Sequence, residues 1–338
     1  MPPPASGNAA EEQHLLDGFA TYDQHVDVVS ALEWLFTTVK GLKDTVAHFE
    51  RFPRIPVPGQ KKNYWTPDFT VLFTDGTAIV GEIAQFAQHE GSVDKLCTQI
   101  GRYATLAHVP DAQGGLAPVH HVEVMLLVQM KIGLLAVQRI LTDRLSNPDH
   151  PYSPPRPPCI VQFARTESYY LFQRLPDPSN GDLYSGDRDP HIGTKLREGL
   201  PVEARFFADT KSARGFINDP IQPLYLATHL WTRTWRTMYG GGTTDITIDE
   251  KTTTTQLQNE YGIGRLSVVR DAMALLERAG LAANDGNGTW TVSRKLIRRS
   301  GDGDIHKVIA KRATSKAPPP MITRRTKPKV QSAQDTLF

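Results

Sequence analysis

The sequence predicts an α/β protein, in which a sheet flanked by helices is followed by a smaller unit of helices and a β-hairpin. Residues 28–39 carry apolar side chains at the i, i+3, i+4 spacing of an amphipathic helix. Two short strand patterns joined by an Asp-Gly turn follow, and residues 122–128 form an apolar run with the length of a buried strand. The 338 residues exceed what one hydrophobic core usually supports, which favours about two domains.

The composition is that of a protein that folds in water. Hydrophobic residues make up 39% of the chain and charged residues 22%, which excludes wholesale disorder. No apolar run of about 18 residues suggests a membrane span, and no secretory signal precedes the first domain, so we expect a cytoplasmic location. Cys97 and Cys159 are too few for a disulfide framework and lack zinc-site spacing, so we expect both to be buried apolar residues.

The first domain is expected at residues 13–215, after an unstructured segment at residues 1–12 that is mostly Pro, Ala, Gly and Glu. Pro53, Pro56 and Pro58 favour extended chain after the first helix. The other predicted elements are strands at 69–73 and 78–83, a helix at 92–108, the strand at 122–128, a helix at 133–145, and a strand pair at 160–163 and 169–172. Residues 146–158 form a proline-rich break, and residues 176–215 give no assignable pattern.

The second domain is expected at residues 216–299. A helix at 223–239 is followed by helices at 255–260 and 265–279, and a hairpin turn at 285–288 comes after them. This order is typical of a helix-turn-helix with a wing. From Val269 to Leu281 the chain resembles the winged helix of bacterial regulators, with the pattern V-R-x-A-x-x-x-L-x-x-x-G-L.

Three side chains are predicted to point outward near the start of the second helix of this motif: Arg265, Ser267 and Arg270. Outward residues at this position could contact base edges or phosphates in a major groove of duplex DNA. A winged helix that contacts only protein is the alternative.

Two carboxylates are predicted to lie near each other on the first hairpin. Asp68 opens the first strand after Thr66 and Pro67, and Glu82 lies in the second strand after Gly81. Carboxylates at one edge of a sheet are the oxygen ligands that Mg²⁺ or Mn²⁺ prefers, and such a metal can activate water against a phosphate ester. Turn capping by Asp68 and solvent exposure of Glu82 are the alternatives.

These residues resemble the PD-(D/E)xK nuclease superfamily, whose core is a restriction-endonuclease-like mixed sheet flanked by helices. Glu33 matches the glutamate that many members carry on the preceding helix, and Gln99 to Tyr103 matches the Gln-x-x-x-Tyr motif of RecB-type members. The resemblance implies Glu33, Asp68 and Glu82 as metal ligands and Gln99 as a further residue of the site. Within the superfamily, residues 25–130 and 250–295 are most similar to TnsA, the nuclease subunit of heteromeric bacterial transposases.

The sequence departs from the superfamily pattern at one position. The pattern requires a lysine two residues after the second-strand acid, and Ala84 stands there. The lysine's role, orienting water and compensating charge, is commonly worth a few kcal/mol. Lys95 on the next helix or Gln85 could take over that role, or the fold could be retained without the chemistry.

A basic segment at residues 300–338 is expected to be disordered. Twelve lysines and arginines lie between residues 294 and 329, against two acids, which is the electrostatic signature of a polyanion binder. The segment contains Gln334, Leu337 and Phe338, which resemble the bacterial sliding-clamp binding motif, in which two apolar anchors enter a pocket. A solvating tail and a chance match are the alternatives.

The leading hypothesis from sequence is therefore a metal-dependent DNA endonuclease of a mobile genetic element. Its expected partners are double-stranded DNA, transposase subunits and a bacterial sliding clamp, with no membrane. The alternative is a catalytically inactive DNA-binding accessory factor that the clamp recruits to replication. A transcription regulator is the third reading, which the nuclease-like half disfavours.

Overall fold

The computed structural model describes residues 7–60, 62–84, 90–145, 147, 156–183, 188–217, 220–239, 244–294 and 304–315. The chain divides into two compact units, residues 23–220 and residues 1–22 together with 221–338. Helix α1 (Gly7–Thr38) crosses this division. The division at residue 220 lies close to the boundary expected at residue 215, but the N-terminal residues group with the C-terminal ones.

Strands of the larger unit are, in chain order, β1 (Val46–Arg51), β2 (Ile55–Pro56), β3 (Tyr64–Trp65), β4 (Phe69–Phe73), β5 (Thr77–Ile83), β6 (His108–Pro110), β7 (Leu116–Pro118), β8 (His121–Gln129), β9 (Cys159–Arg165), β10 (Tyr169–Arg174) and β11 (Leu200–Glu203). Within the described residues they form a mixed seven-stranded sheet of order β1-β4-β5-β8-β9-β10-β11 and two small ribbons, β2-β3 and β6-β7. Strands β5, β8 and β9 run parallel, and the other neighbours in the large sheet are antiparallel. The sequence prediction of an α/β fold is confirmed at this level.

Helices connect and cover these strands. They are α1 from residue 23 onward, α2 (Glu90–Tyr103), α3 (Gly133–Ala136), which continues as a π-helical segment (Val137–Leu145), α4 (Gly193–Glu198) and α5 (Ala208–Ala213), with 3₁₀ turns at Met130–Ile132 and Ala204–Phe207. Helix α2 lies between the parallel strands β5 and β8, because a parallel pair needs a long crossover. Helical structure was predicted at both 92–108 and 133–145, although the first ends at Tyr103 and continues as turn and strand.

The two faces of the large sheet carry separate apolar cores. Residues of β5 and the residue that follows it supply them in alternation: Ile79 and Ile83 pack with α1, while Val80 and Ala84 pack with α2. Cys159 belongs to the first core and Cys97 to the second, and both are free thiols, as the sequence predicts. Burial raises the pKa of the Cys97 thiol to about 11 and that of Cys159 to about 12, so both remain protonated.

The smaller unit contains α6 (Pro223–His229), a π-helical segment (Leu230–Thr234), a 3₁₀ turn (Arg236–Met238), β12 (Asp245–Asp249), α7 (Glu250–Tyr261), α8 (Leu266–Arg278), β13 (Ala282–Gly286), β14 (Thr289–Ser293) and α9 (Ile305–Ala313). The three strands form an antiparallel sheet of order β12-β14-β13. Gly264, with φ +134°, turns the chain between α7 and α8, and an added Cβ there would lie 3.1 Å from the Thr254 carbonyl.

The prediction of disorder is wrong for part of residues 1–12 and for part of residues 300–338. Helix α1 already begins at Gly7, because the strong helix formers Ala and Glu extend it without an apolar stripe of their own. Residues 305–313 form α9, whose Ile305, Ile309 and Ala310 are buried. Arg312 further fixes α9 by donating from Nε to the carbonyl of Ala279 at 2.8 Å.

None of the helices within the described residues is both long enough and apolar enough to cross a membrane.

Candidate functional site

Asp68 and Glu82 face each other across the β4–β5 ladder. The ladder pairs Phe69 with Gly81, which sets Asp68 opposite Glu82. The main-chain N–H of Asp68 donates to the Gly81 carbonyl at 3.0 Å. Its carboxylate Oδ2 accepts from the main-chain N–H of Ile83 at 2.6 Å. Because these two bonds reach the residues on either side of Glu82, strand pairing brings the two carboxylates together.

Helix α2 supplies two hydrogen-bond partners for Glu82. Gln99 donates from Nε2 to Oε1 of Glu82 at 2.9 Å and to the hydroxyl of Tyr103 at 2.7 Å. The Tyr103 hydroxyl in turn lies 3.4 Å from Oε2 of Glu82. Gln99 and Tyr103 are four residues apart and therefore share one side of the helix. The resulting network fixes the plane of the Glu82 carboxylate.

Tyr103 is electrostatically sensitive to both acids. Burial raises the pKa of Tyr103, and the charges of Glu82 and Asp68 raise it further. The hydroxyl therefore stays protonated and donates toward Oε2 of Glu82. The buried Tyr103 hydroxyl, the Gln99 amide and the two acids thus form a polar cluster at the end of β5.

Gly81 explains how the aromatic residue next to Asp68 fits. A Cβ added at Gly81 would lie 2.0 Å from the ring of Phe69, a distance that no packed structure tolerates. Phe69 is fully buried, and its ring stacks with Phe49 at 5.5 Å. The absence of a side chain at residue 81 thus lets Phe69 cross β5 while Asp68 and Glu82 occupy the other face.

Glu33 is not part of this cluster. It lies on α1, which covers the opposite face of the sheet from α2. Its Oε2 lies 2.5 Å from Nε of Arg51, and its Oε1 lies 3.6 Å from Nη1 of Arg214. Arg51 also donates to the hydroxyl of Ser30 at 2.6 Å. In this structure the expected helical metal ligand is instead the acid of a buried ion pair.

Lys95 and Gln85 are the two residues expected to take over the role of the missing lysine. Ala84 is 6% exposed and belongs to the core under α2, so the usual lysine position is closed. Lys95 is exposed on α2, one turn before Gln99 and on the same side of the helix. Gln85 lies outside the described residues.

The donors present fit a divalent cation only in part. Asp68 and Glu82 offer the carboxylate oxygens that Mg²⁺ or Mn²⁺ prefers, next to main-chain carbonyls at a strand end. Glu33 does not fit as a third ligand, because both of its oxygens face guanidinium groups. Where the structure describes the chain, no group of three or more His, Cys, Asp or Glu side chains is arranged to hold a metal. A cation here would depend on two carboxylates.

The smaller unit exposes the other predicted residues. Arg265, Ser267 and Arg270 are exposed at the N-terminal half of α8, whereas Val269 and Ala272 are buried. Arg265 has extended backbone and precedes the first turn of the helix. Arg270 donates from Nε to Oε2 of Glu250 at 2.8 Å. The predicted outward face is therefore present, and one of its arginines is held by a carboxylate.

Comparison of the chain with protein-family models, with curated proteins and with solved structures gives no match. Any functional assignment therefore depends on the sequence patterns and on the contacts described above. The predicted clamp-binding residues Gln334, Leu337 and Phe338 lie outside the described residues, as does most of the basic segment.

Several partners of the predicted residues carry no recognisable sequence signal. Arg51 ends strand β1, which the neighbouring prolines concealed, and Arg214 lies in the stretch without an assignable pattern. Glu250 carried no signal beyond that of an acid in the first turn of a helix. In each case the partner is distant in sequence, and only the fold brings the pair together.

Proposed function

We propose that this protein is a metal-dependent DNA endonuclease with a nuclease-type α/β core and a winged-helix unit. The observation that carries the proposal is the network in which Gln99 and Tyr103 hold Glu82 opposite Asp68. These are the residues that the PD-(D/E)xK pattern assigns to the site. The hairpin β4–β5, the crossover helix α2 and the parallel strand β8 follow the order expected of a restriction-endonuclease-like core.

Asp68 and Glu82 would hold the cation in this proposal. A bound Mg²⁺ or Mn²⁺ would activate a water molecule and stabilise the leaving oxygen of a phosphodiester. Gln99 would keep the Glu82 carboxylate oriented, as partners of metal ligands commonly do. Lys95, one turn away on α2, is the cation that would offset the charge developed at the phosphate.

The smaller unit would bind the substrate. Helices α7 and α8 meet at a tight turn, and the β13–β14 hairpin follows, which is the element order of a winged helix. Exposed residues at the start of α8 would then contact the major groove of double-stranded DNA. The similarity of the sequence to TnsA favours transposition of a mobile element as the setting, with transposase subunits as partners.

A non-catalytic DNA-binding accessory factor is the second candidate, and two observations favour it. Ala84 fills the lysine position with a buried methyl group. Glu33 is neutralised by arginines instead of facing the carboxylate pair. In this reading, the Glu82 network stabilises the fold, and the clamp peptide supplies recruitment.

Incubation of the full chain with supercoiled plasmid and either Mg²⁺ or Mn²⁺ separates the two candidates. The endonuclease predicts nicked or linear product that the Asp68→Asn variant does not form. The accessory factor predicts plasmid binding without cleavage by either protein. Binding is measured in parallel over a salt series, because phosphate contacts weaken as salt rises.

A further inference from the structure

Glu250 is a buried carboxylate at the start of α7 that contacts both the wing and α8. The residue is 4% exposed. Its Oε1 accepts from the indole Nε1 of Trp290 on β14 at 2.9 Å, and its Oε2 accepts from Nε of Arg270 on α8 at 2.8 Å. Its main-chain N–H donates to the carbonyl of Gly288 at the hairpin turn at 3.0 Å. One side chain thus ties three elements of the smaller unit.

The bond to Glu250 leaves the end of Arg270 available. Glu250 engages the Nε side of the guanidinium group, and 59% of the Arg270 side chain is exposed. Within the described residues, neither Nη1 nor Nη2 of Arg270 makes a hydrogen bond. The two terminal nitrogens therefore form a free, planar pair of donors whose direction is set by a buried group.

We propose that Glu250 is a positioning residue that aims Arg270 at a guanine in the major groove of duplex DNA. The proposal rests on the proposed DNA-binding function of the smaller unit and adds a base preference and a residue that produces it. Arginine recognises guanine by donating from two nitrogens to O6 and N7, and such a pair discriminates against other bases by roughly 5- to 150-fold. A guanidinium group whose forked pair of donors is already fixed before binding loses less rotamer entropy when it contacts the base.

The surroundings of Arg270 favour a base over a phosphate as its target. The exposed residues of α8 are Ser267, Arg270, Asp271, Ala274, Glu277 and Arg278. Two of them are acids and two are arginines, and Arg265 just before the helix adds a third exposed arginine. Because the acids offset most of this charge, the face is not a strong cationic patch that attracts phosphates by net charge alone. Glu250 further offsets the charge of Arg270 and at the same time defines its geometry. Directional hydrogen bonding to a base edge depends on the fixed geometry of Arg270 and does not depend on its net charge.

The contact with the wing makes the aim of Arg270 dependent on the hairpin. Trp290 is 4% exposed and pairs with Ile248 in the three-stranded sheet, so its indole N–H is fixed by the sheet. Gly288, with φ +78°, has its missing Cβ site 3.4 Å from Oε2 of Glu250. Because Trp290 fixes Oε1 and the Gly288 carbonyl fixes the main chain of Glu250, the position of the carboxylate is set by the sheet and the hairpin. The remaining oxygen, Oε2, then sets the position of Arg270.

The test begins with selection of duplexes from a pool with a randomised segment by the full-length chain. Dissociation constants are then measured for the selected duplex and for the same duplex with each G·C pair changed to A·T. Four variants are compared with the wild type: Arg270→Ala, Arg270→Lys, Glu250→Gln and the matched control Arg278→Ala. Arg278 lies on the same helix, is similarly exposed at 52% and is also paired with an acid, Glu11, at 3.0 Å.

The wild type is expected to prefer G·C at one position by about tenfold or more. Arg270→Ala and Arg270→Lys should both remove that preference, since lysine keeps the charge but lacks the fork. Glu250→Gln should reduce the preference several-fold while the selected duplex still binds, and Arg278→Ala should retain it. The Glu250→Gln variant keeps an acceptor for the Trp290 indole. Its thermal unfolding is recorded so that a misoriented Arg270 can be distinguished from a destabilised fold.

Each contrary result has a distinct meaning. If Arg270→Ala weakens binding to all duplexes equally, the residue contacts phosphate and the guanine assignment is overturned. If Glu250→Gln folds normally and discriminates as the wild type does, Glu250 is not a positioning residue. If the wild type binds no duplex even at low salt, the proposed DNA-binding function itself fails.

Discussion

Gln99 and Glu82 are joined by a 2.9 Å hydrogen bond between a side-chain amide and a carboxylate that are 17 residues apart in the chain. The same amide nitrogen bonds the Tyr103 hydroxyl, so the donor is itself fixed. A carboxylate oriented in this way can bind a cation without losing further rotamer freedom. We therefore expect Gln99 to contribute to the affinity of the site for a metal ion.

Replacing Gln99 with leucine should weaken binding of Mn²⁺ about tenfold, because partners of metal ligands commonly contribute 10–100-fold. Isothermal titration calorimetry of the full chain measures the effect. The matched control is Gln113→Leu, since Gln113 is an exposed glutamine whose side chain lies in a surface turn. Equal Mn²⁺ affinity for wild type and Gln99→Leu would remove Gln99 from the site.

Glu33 should matter to stability and not to metal binding. Its ion pair with Arg51 is largely buried, with side-chain exposures of 14% and 4%. Loss of one partner leaves an uncompensated charge, so Glu33→Leu should lower the free energy of unfolding by about 3 kcal/mol. Urea denaturation measures this, and calorimetry below the transition should give Mn²⁺ affinity like that of the wild type. A folded Glu33→Leu protein that no longer binds Mn²⁺ would restore Glu33 as a ligand.

Gly81→Ala should disturb the strand that carries Glu82. The new methyl group would overlap the Phe69 ring, and overpacking of this kind commonly costs about 1–3 kcal/mol. Gly91→Ala is the control, because nothing lies within 4 Å of a Cβ at that exposed helical position. It should leave stability unchanged or raise it by about 1 kcal/mol. Similar unfolding midpoints for the two variants would show that Phe69 moves aside freely.

His229 should make the smaller unit sensitive to acid. Burial, assisted by the charge of Arg233, lowers the pKa of His229 to about 3 from its ordinary 6.5. The unfolded chain therefore binds a proton that the folded one excludes, and stability is complete above about pH 6.5 and lost as pH falls toward 3. As the pH falls from about 7 to 5, the excluded proton of His229 should lower the free energy of unfolding by about 2 kcal/mol. His229→Phe should lose less stability over the same interval in urea titrations, and an unchanged pH dependence would contradict the assignment.

Local patterns were sufficient to predict the centre of the larger unit. The Asp-Gly signal located the β4–β5 hairpin, where Asp75 accepts from the main-chain N–H of Thr77 at 3.0 Å and Gly76 adopts φ +78°. The mostly apolar run at β8 needed no partner information, because such a run is typical of a strand that is buried on both faces. The proximity of Asp68 and Glu82 followed from the hairpin register.

Long-range pairing accounts for what was missed. Strand β1 has only six residues, of which just Phe49 and Arg51 are buried, and it lies next to prolines, so its edge position depends on β4. Strand β12 was missed for the same reason, since its residues pair with residues of β14 that lie at least 40 positions later, as Asp249 does with Thr289. The separation of Glu33 from the carboxylate pair could not be read from spacing, because it depends on which face of the sheet α1 covers.

Cleavage is the most direct test of the claim that Asp68 and Glu82 form a metal-dependent site acting on DNA. The measurement is the rate at which an excess of the full chain nicks supercoiled plasmid in Mn²⁺, for wild type, Asp68→Asn, Glu82→Gln and Lys95→Ala. Mn²⁺-dependent nicking by the wild type is predicted, with at least a hundredfold slower rate for each acid variant and a smaller loss for Lys95→Ala. A wild-type protein that binds the plasmid and leaves it uncut, or acid variants that cut at the wild-type rate, would contradict the account.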